Sequence, residues 1–154
     1  MKTTFGNPVT MARNAIGAVT LMSLINVILV YFNLPPIMPL SLIMPLSFAI
    51  IAFWTPEWIV EQYSNPSDLA SIQISSAVFM VVVLIALAYA FWRMAKKPKA
   101  VKIGIIVVIL DTILLLLQYP ILSLSFVIEA LYHGLVLYYL YKGLKAIGKE
   151  KVHV

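Results

Sequence analysis

The chain contains no cysteine. Disulfides, thiolate metal sites, iron–sulfur ligation and lipid attachment through a thiol are therefore excluded. Charge is the second scarcity. Asp, Glu, Lys and Arg make up only 11% of the 154 residues, and six residues are acidic. With 62% hydrophobic residues and a mean hydropathy of +0.99, this is the composition of an integral membrane protein and not of a soluble domain. Motif chemistry is also missing. There is no Gly-rich phosphate loop, no Ser-His-Asp arrangement and no His-Glu-x-x-His pattern. These absences disfavour an enzyme without excluding one: an intramembrane hydrolase that activates water with two carboxyls stays open as the weakest reading.

What the chain does have is long apolar runs. Four of them, at about residues 15–32, 71–91, 101–119 and 121–141, approach the roughly 20 residues that cross a hydrocarbon core as a helix. They lack the period-two alternation of barrel strands, so helices are predicted. The expected fold class is all-α, with residues 1–154 forming a single up-down four-helix transmembrane bundle.

Charge placement predicts orientation. Lys2 and Arg13 precede the first run. Arg93, Lys96, Lys97, Lys99 and Lys102 lie around the basic loop at about residues 92–100, and Lys142, Lys145, Lys149 and Lys151 follow the fourth run. If the four runs cross, every basic residue falls on one side, while Glu57, Glu61 and Asp68 fall on the other. The positive-inside rule then puts both termini and the basic loop in the cytoplasm. The net charge of +5 reads as an orientation signal, and no nucleic-acid partner is expected. The N-terminus mimics a secretory signal, but its apolar run is long and no small-x-small cleavage site follows. It is expected to stay as the first span.

The segment at about residues 33–70 holds Pro35, Pro36, Pro39 and Pro45. Its stretch 37–54 is apolar enough to suggest a fifth span, but a fifth crossing would move the basic loop outside. Pro39 and Pro45 also interrupt a simple helix. The expectation is an extracytoplasmic segment that lies in the interface or dips part-way in and covers the bundle mouth. Trp54, Trp58 and Tyr63 would form an outer aromatic belt, and Phe91, Trp92, Tyr138, Tyr139 and Tyr141 an inner one. Asn65-Pro66-Ser67-Asp68 is a helix-start signal.

Inside the runs stand Asp111, Glu129 and His133. A carboxylate at mid-bilayer costs about 2.5–3.5 kcal/mol, and such residues default to a functional-site hypothesis. Asp111 is nine residues before Pro120 and Glu129 nine after it. A tight hairpin at Pro120 would set the two carboxyls level, roughly 13 Å below the turn, and they are expected to share a proton, with His133 or Asn26 completing the hydrogen bonds. His133, four residues past Glu129, lies on the same face one turn deeper. Gln118, Ser125, Tyr132 and Asn26 complete the candidate ligand or proton site, whereas Val107, Val108, Val136 and Leu137 suggest a dry inner half. One histidine and two scattered acids make a poor ligand set, so no metal or other cofactor is expected. The plainer reading is structural. Polar groups in spans bond neighbouring helices for about 0.6 kcal/mol each, and Ala130-x-x-x-Gly134 is a small-x-x-x-small packing pattern.

Lys142, Lys145 and Lys149 recur at helical spacing and are expected to touch anionic lipids at the cytoplasmic face, at about 1 kcal/mol each. A solvated charged tail is the alternative.

Residues 8–14, Pro-Val-Thr-Met-Ala-Arg-Asn, and residues 132–140, Tyr-His-Gly-Leu-Val-Leu-Tyr-Tyr-Leu, resemble patterns in uncharacterised bacterial four-span membrane proteins. The resemblance covers the first and last spans. It implies a bacterial cytoplasmic-membrane location and transfers no functional residues, because that group carries no established activity. The chain is unlike the small multidrug transporters, which are shorter and carry a glutamate in the first span, where Asn26 stands here. Two functions are compatible with the pattern. One is binding or transport of a small solute or cation, with proton exchange at Asp111 and Glu129. The other is a structural or accessory role in a larger membrane complex. The narrow interior of four helices favours a homodimer or larger assembly as the working unit in either case.

Overall fold

In the computed structural model, residues 7–36, 41–63, 65–94, 97–118 and 124–150 are described. Among them the regular structure is entirely helical. The helices are α1 (Pro8–Tyr31), α2 (Ile43–Ala49), α3 (Glu57–Gln62), α4 (Pro66–Arg93), α5 (Pro98–Gln118) and α6 (Leu124–Glu150). A five-residue π-helical turn, Ile50–Trp54, continues α2.

Local chemistry explains where the long helices begin and end. Asn7 and Asn65 cap α1 and α4, their side chains accepting from the N–H of Val9 at 2.9 Å and of Ser67 at 3.2 Å. Pro8 and Pro66 occupy the first helical turn, where no N–H is needed. The helix start expected at Asn65-Pro66 is thus where α4 begins, ahead of the expected apolar span. At its far end α1 closes in a Schellman motif. Asn33 is left-handed (φ 58°), its N–H donates to Val30, and Leu34 N–H donates to Leu29 at 2.8 Å. Asparagine tolerates this conformation, and Pro35 follows as a stop.

Among the described residues, three helices are long and apolar enough to cross a membrane: Pro8–Tyr31, Pro66–Arg93 and, within α5, Lys99–Leu117. The expected fourth run corresponds to α6. It has ample length at 27 residues, but its described part carries Glu129, His133 and four tyrosines and is less apolar. The expected turn at Tyr119-Pro120-Ile121 lies outside the described residues.

α1 packs on α6 and α4, α4 on α5, and α5 on α6, while α2 packs against α1, α4 and α5. The exterior is apolar: Ile74, Val78, Val82 and Ile85 of α4 and Ile106, Ile113, Leu116 and Leu117 of α5 are all exposed. The interior holds Ser23, Asn26, Ser41, Ser76, Asp111 and His133. This inverts the usual soluble pattern and suits a lipid surround.

The core has three apolar parts. The largest runs through Ile16, Leu87, Met94, Val108, Val136 and Leu140. Its members include the Val107, Val108 and Val136 expected to line a dry half. A second cluster joins Val27, Val30, Ala49 and Met80, and a third joins Ile43, Leu115 and Phe126. Tight helix approach is visible at Gly143, where a Cβ would stand 2.7 Å from Ala12 Cβ and 3.4 Å from the Pro8 carbonyl. The aromatic side chains Trp58, Trp92, Tyr138 and Tyr141 face outward. Trp54 also anchors its segment, its Nε1 donating to Val30 O at 2.8 Å.

Candidate functional site

The site is built around the start of α2. A helix leaves the N–H groups of its first four positions without partners inside the helix. Here these are Leu42, Ile43, Met44 and Pro45. All but Met44, which is partly buried, are buried, so water does not readily serve them. Leu42 has no side-chain oxygen to act as a cap. The donors are met by other helices. Leu42 N–H donates to Ser23 Oγ of α1 at 3.0 Å. Ile43 N–H donates to Asp111 Oδ2 at 2.9 Å, and Met44 N–H to Asp111 Oδ1 at 2.5 Å. Pro45 has no N–H to satisfy. Every donor in this turn is therefore accounted for. Asp111 of α5 is a helix cap supplied from 67 and 68 residues away, and its carboxyl oxygens meet the positive end of the α2 dipole.

His133 of α6 completes the cluster. Its Nε2 lies 2.7 Å from Asp111 Oδ2, and its Nδ1 lies 2.7 Å from the backbone carbonyl of Glu129. A carbonyl can only accept, so Nδ1 carries a hydrogen. A second hydrogen must lie between Nε2 and Oδ2. The pair thus holds one proton beyond the fixed Nδ1–H, shared between an imidazole and a carboxyl group. Asp111 is 0% and His133 1% exposed. From α1, Asn26 Nδ2 donates to Ser41 Oγ at 2.8 Å, fixing the residue that precedes the α2 cap.

The partner of Asp111 is His133 and not Glu129, a correction of one helical turn along α6. The expected register was counted from a hairpin at Pro120, whereas the contact made across the two helices is His133 Nε2 with Asp111 Oδ2. Glu129 lies in electrostatic range of both Asp111 and His133. Its Oε2 is buried and has no hydrogen-bond partner among the described residues. Tyr132 is half-buried, edge-on to the His133 ring at 6.2 Å. The side chains of Gln118, Ser125 and Lys149 lie outside the described residues. Lys142 and Lys145 are exposed, and Lys142 Nζ sits 4.5 Å over the Tyr138 ring. Among the described residues no group of three His, Cys, Asp or Glu side chains is placed to hold a metal ion.

Two participants were not foreseen. Ser23 precedes Asn26 by three residues, so both lie on one face of α1. That spacing was the available signal. Ser41 stands just before an apolar run whose first turn has no local cap, and only the tertiary structure shows what replaces it. Substituting Ser23 by alanine leaves the buried Leu42 N–H unpaired. A loss of about 1–3 kcal/mol is expected, measurable as a lower unfolding midpoint in mild detergent.

Together these features define an all-helical protein, with helices suited to a membrane, that carries a buried histidine–aspartate pair at the start of a short internal helix. Comparison with protein-family models, curated proteins and solved structures finds no match.

Proposed function

We propose that the chain is a multi-pass protein of a bacterial cytoplasmic membrane that binds or moves a small solute or cation with linked proton exchange. In this reading α1, α4, α5 and α6 all cross, both termini are cytoplasmic, and residues 33–70 lie on the outer side. The chain segment leading through α2 to Trp54 re-enters the membrane. The one-sided lysines and arginines support this orientation. Irregular backbone at membrane depth is tolerated where protein or a polar cavity surrounds it, and helix ends at mid-membrane commonly mark binding sites in transporters.

The observation that carries the functional reading is the buried 2.7 Å contact of His133 Nε2 with Asp111 Oδ2, which together with the Nδ1 contact to the Glu129 carbonyl requires a proton between the two groups. It sits beside the buried, unmatched carboxyl oxygen of Glu129, an acceptor that a cation or a proton would satisfy. The test is reconstitution into liposomes with a pH dye in the lumen, under imposed sodium, potassium or methylammonium gradients. A cation gradient should drive proton movement, and Asp111→Asn or His133→Gln should reduce it at least tenfold. If both variants fold and move as many protons as the parent, the reading fails. At the inner face, exposed Lys142 and Lys145 would contact anionic lipid headgroups.

A second reading, an accessory subunit or homodimer, is favoured by one observation. Ala130 packs inward on the third apolar cluster, but a Cβ on Gly134 would meet nothing within 4 Å. Exposed Leu131, Leu135 and Tyr138 flank it. The small-residue pattern is therefore split between an inward and an outward contact. Gly134→Leu should leave the unfolding midpoint unchanged. If a second copy or another subunit packs there, the same change should abolish crosslinked species in native membranes.

A further inference from the structure

We infer that α2 and its π-helical extension, Ile43–Trp54, form a gate cocked about Thr55, with the Asp111 cap as its latch. The inference rests on the proton-linked reading of the Asp111 cluster and names the moving part of that site.

The first observation is the hinge. Thr55 has φ 45° and ψ 79°, in the left-handed region. A β-branched residue there is a genuine outlier. The proline that follows it further restricts its backbone. Such positions persist only where their surroundings over-determine them, and they cluster at switch regions. The turn leading into Thr55 is π-helical, with Thr55 N–H donating to Ile50 O at 3.0 Å. Single π-turns recur at functional sites. Strain, π-turn and proline coincide within seven residues, Ile50–Pro56.

The second observation is how the arm is held. At its base the polar contacts are Asp111 with the N–H groups of Ile43 and Met44, Ser23 with Leu42 N–H, and Asn26 with Ser41, beside the apolar packing of Leu42 and Ile43. At its top, Gln73 Nε2 donates to Thr55 Oγ1 at 2.6 Å, and Trp54 holds Val30 O. A strained hinge at one end opposes a charge-assisted latch at the other. Neutralising Asp111 weakens the latch, because a neutral carboxyl or amide accepts more weakly from the two N–H groups than a carboxylate does. The ionisable side chains at this level are Asp111, Glu129, Tyr132 and His133. α1 carries none between Arg13 and Tyr31, α2 none, and α4 none between Asp68 and Tyr89. The latch therefore answers to the protonation of one small cluster. Release would let the arm swing outward about Thr55 and expose Ser41 and the cluster beneath it.

The absence of native cysteine makes the test direct. Ser41→Cys places one thiol under the gate, and Val108→Cys, in the inner apolar core at 0% exposure, reports general unfolding. Maleimide labelling rates are measured in reconstituted vesicles. With the gate closed, both thiols should label slowly. Adding Asp111→Asn should speed labelling at position 41 at least tenfold and leave position 108 unchanged. Thr55→Asn, which suits the left-handed region and keeps a polar partner for Gln73, should slow labelling at position 41 several-fold by relieving strain in the closed form. An unchanged rate at position 41 with Asp111→Asn, position 108 remaining unlabelled, overturns the gate. If Asp111→Asn exposes position 108 as well, Thr55→Asn decides: slower labelling supports the gate, and an equal or faster rate overturns it. Proton movement that persists while position 41 never opens would reject the gate and leave the transport reading standing.

Discussion

Replacing Asp111 by alanine is expected to be the most damaging single substitution in the described chain. It removes the acceptor for Ile43 and Met44 N–H and the partner of His133 in one step. Breaking a buried ion pair from one side costs about 3–5 kcal/mol. At this chain length that corresponds to a fall of roughly 10 °C in the unfolding midpoint. His133→Ala should cost clearly less, because Asp111 keeps both backbone donors. The informative variant is the double change Asp111→Leu with His133→Leu. Apolar replacement of a buried pair is often neutral, but here two buried N–H groups would still lack acceptors, so the double variant should remain well below the parent. Midpoints followed by tryptophan fluorescence in detergent check all three. Equal costs for Asp111→Ala and His133→Ala, with a fully stable double variant, would show that Asp111 does not cap α2.

The second large effect is expected at Gly143. A leucine there would drive its Cβ into Ala12 and the Pro8 carbonyl, prising apart the cytoplasm-proximal ends that the orientation proposal assigns to α1 and α6. Overpacking typically costs about 1–3 kcal/mol, and a branched side chain against backbone belongs at the upper end. The cause can be isolated with a smaller pair. Gly143→Ala alone should lower the midpoint, and adding Ala12→Gly should restore much of it by removing the clashing methyl group. An unchanged midpoint for Gly143→Leu would mean that these two helices do not meet there.

Much of the site was legible in the sequence, because polar residues stand out in apolar runs. Asp111, His133 and Asn26 are three such residues, and all three are buried around the start of α2. The helix start at Asn65-Pro66 was legible because its cap is local. The start of α2 was not. Pro45 argued against a helix, yet it occupies the first turn, where a missing N–H costs nothing. The acceptors that make this turn viable come from α1 and α5, and no local pattern announces them. The direct contact of Asp111 with His133 was legible only as a completing bond, since counting from a turn gives depth and not which neighbouring side chain touches the carboxyl. Gly134 was legible as a small residue but not as an outward-facing one, since facing depends on which neighbours surround α6.

The remote cap on α2 also sets an order of events during synthesis. Ser23 and Asn26 emerge 15–19 residues before the groups they hold, so one side of the arm can be secured early. Asp111 follows Ile43 by 68 residues, and His133 comes 22 residues later still. At about 5–20 residues per second, the ribosome needs several seconds to deliver the carboxylate. During that interval two amide hydrogens of the nascent arm have no acceptor, and water is the only place to keep them. The short helix therefore reaches its seat late, after the fifth helix has been made, and a chain interrupted before residue 111 should expose this arm to proteases.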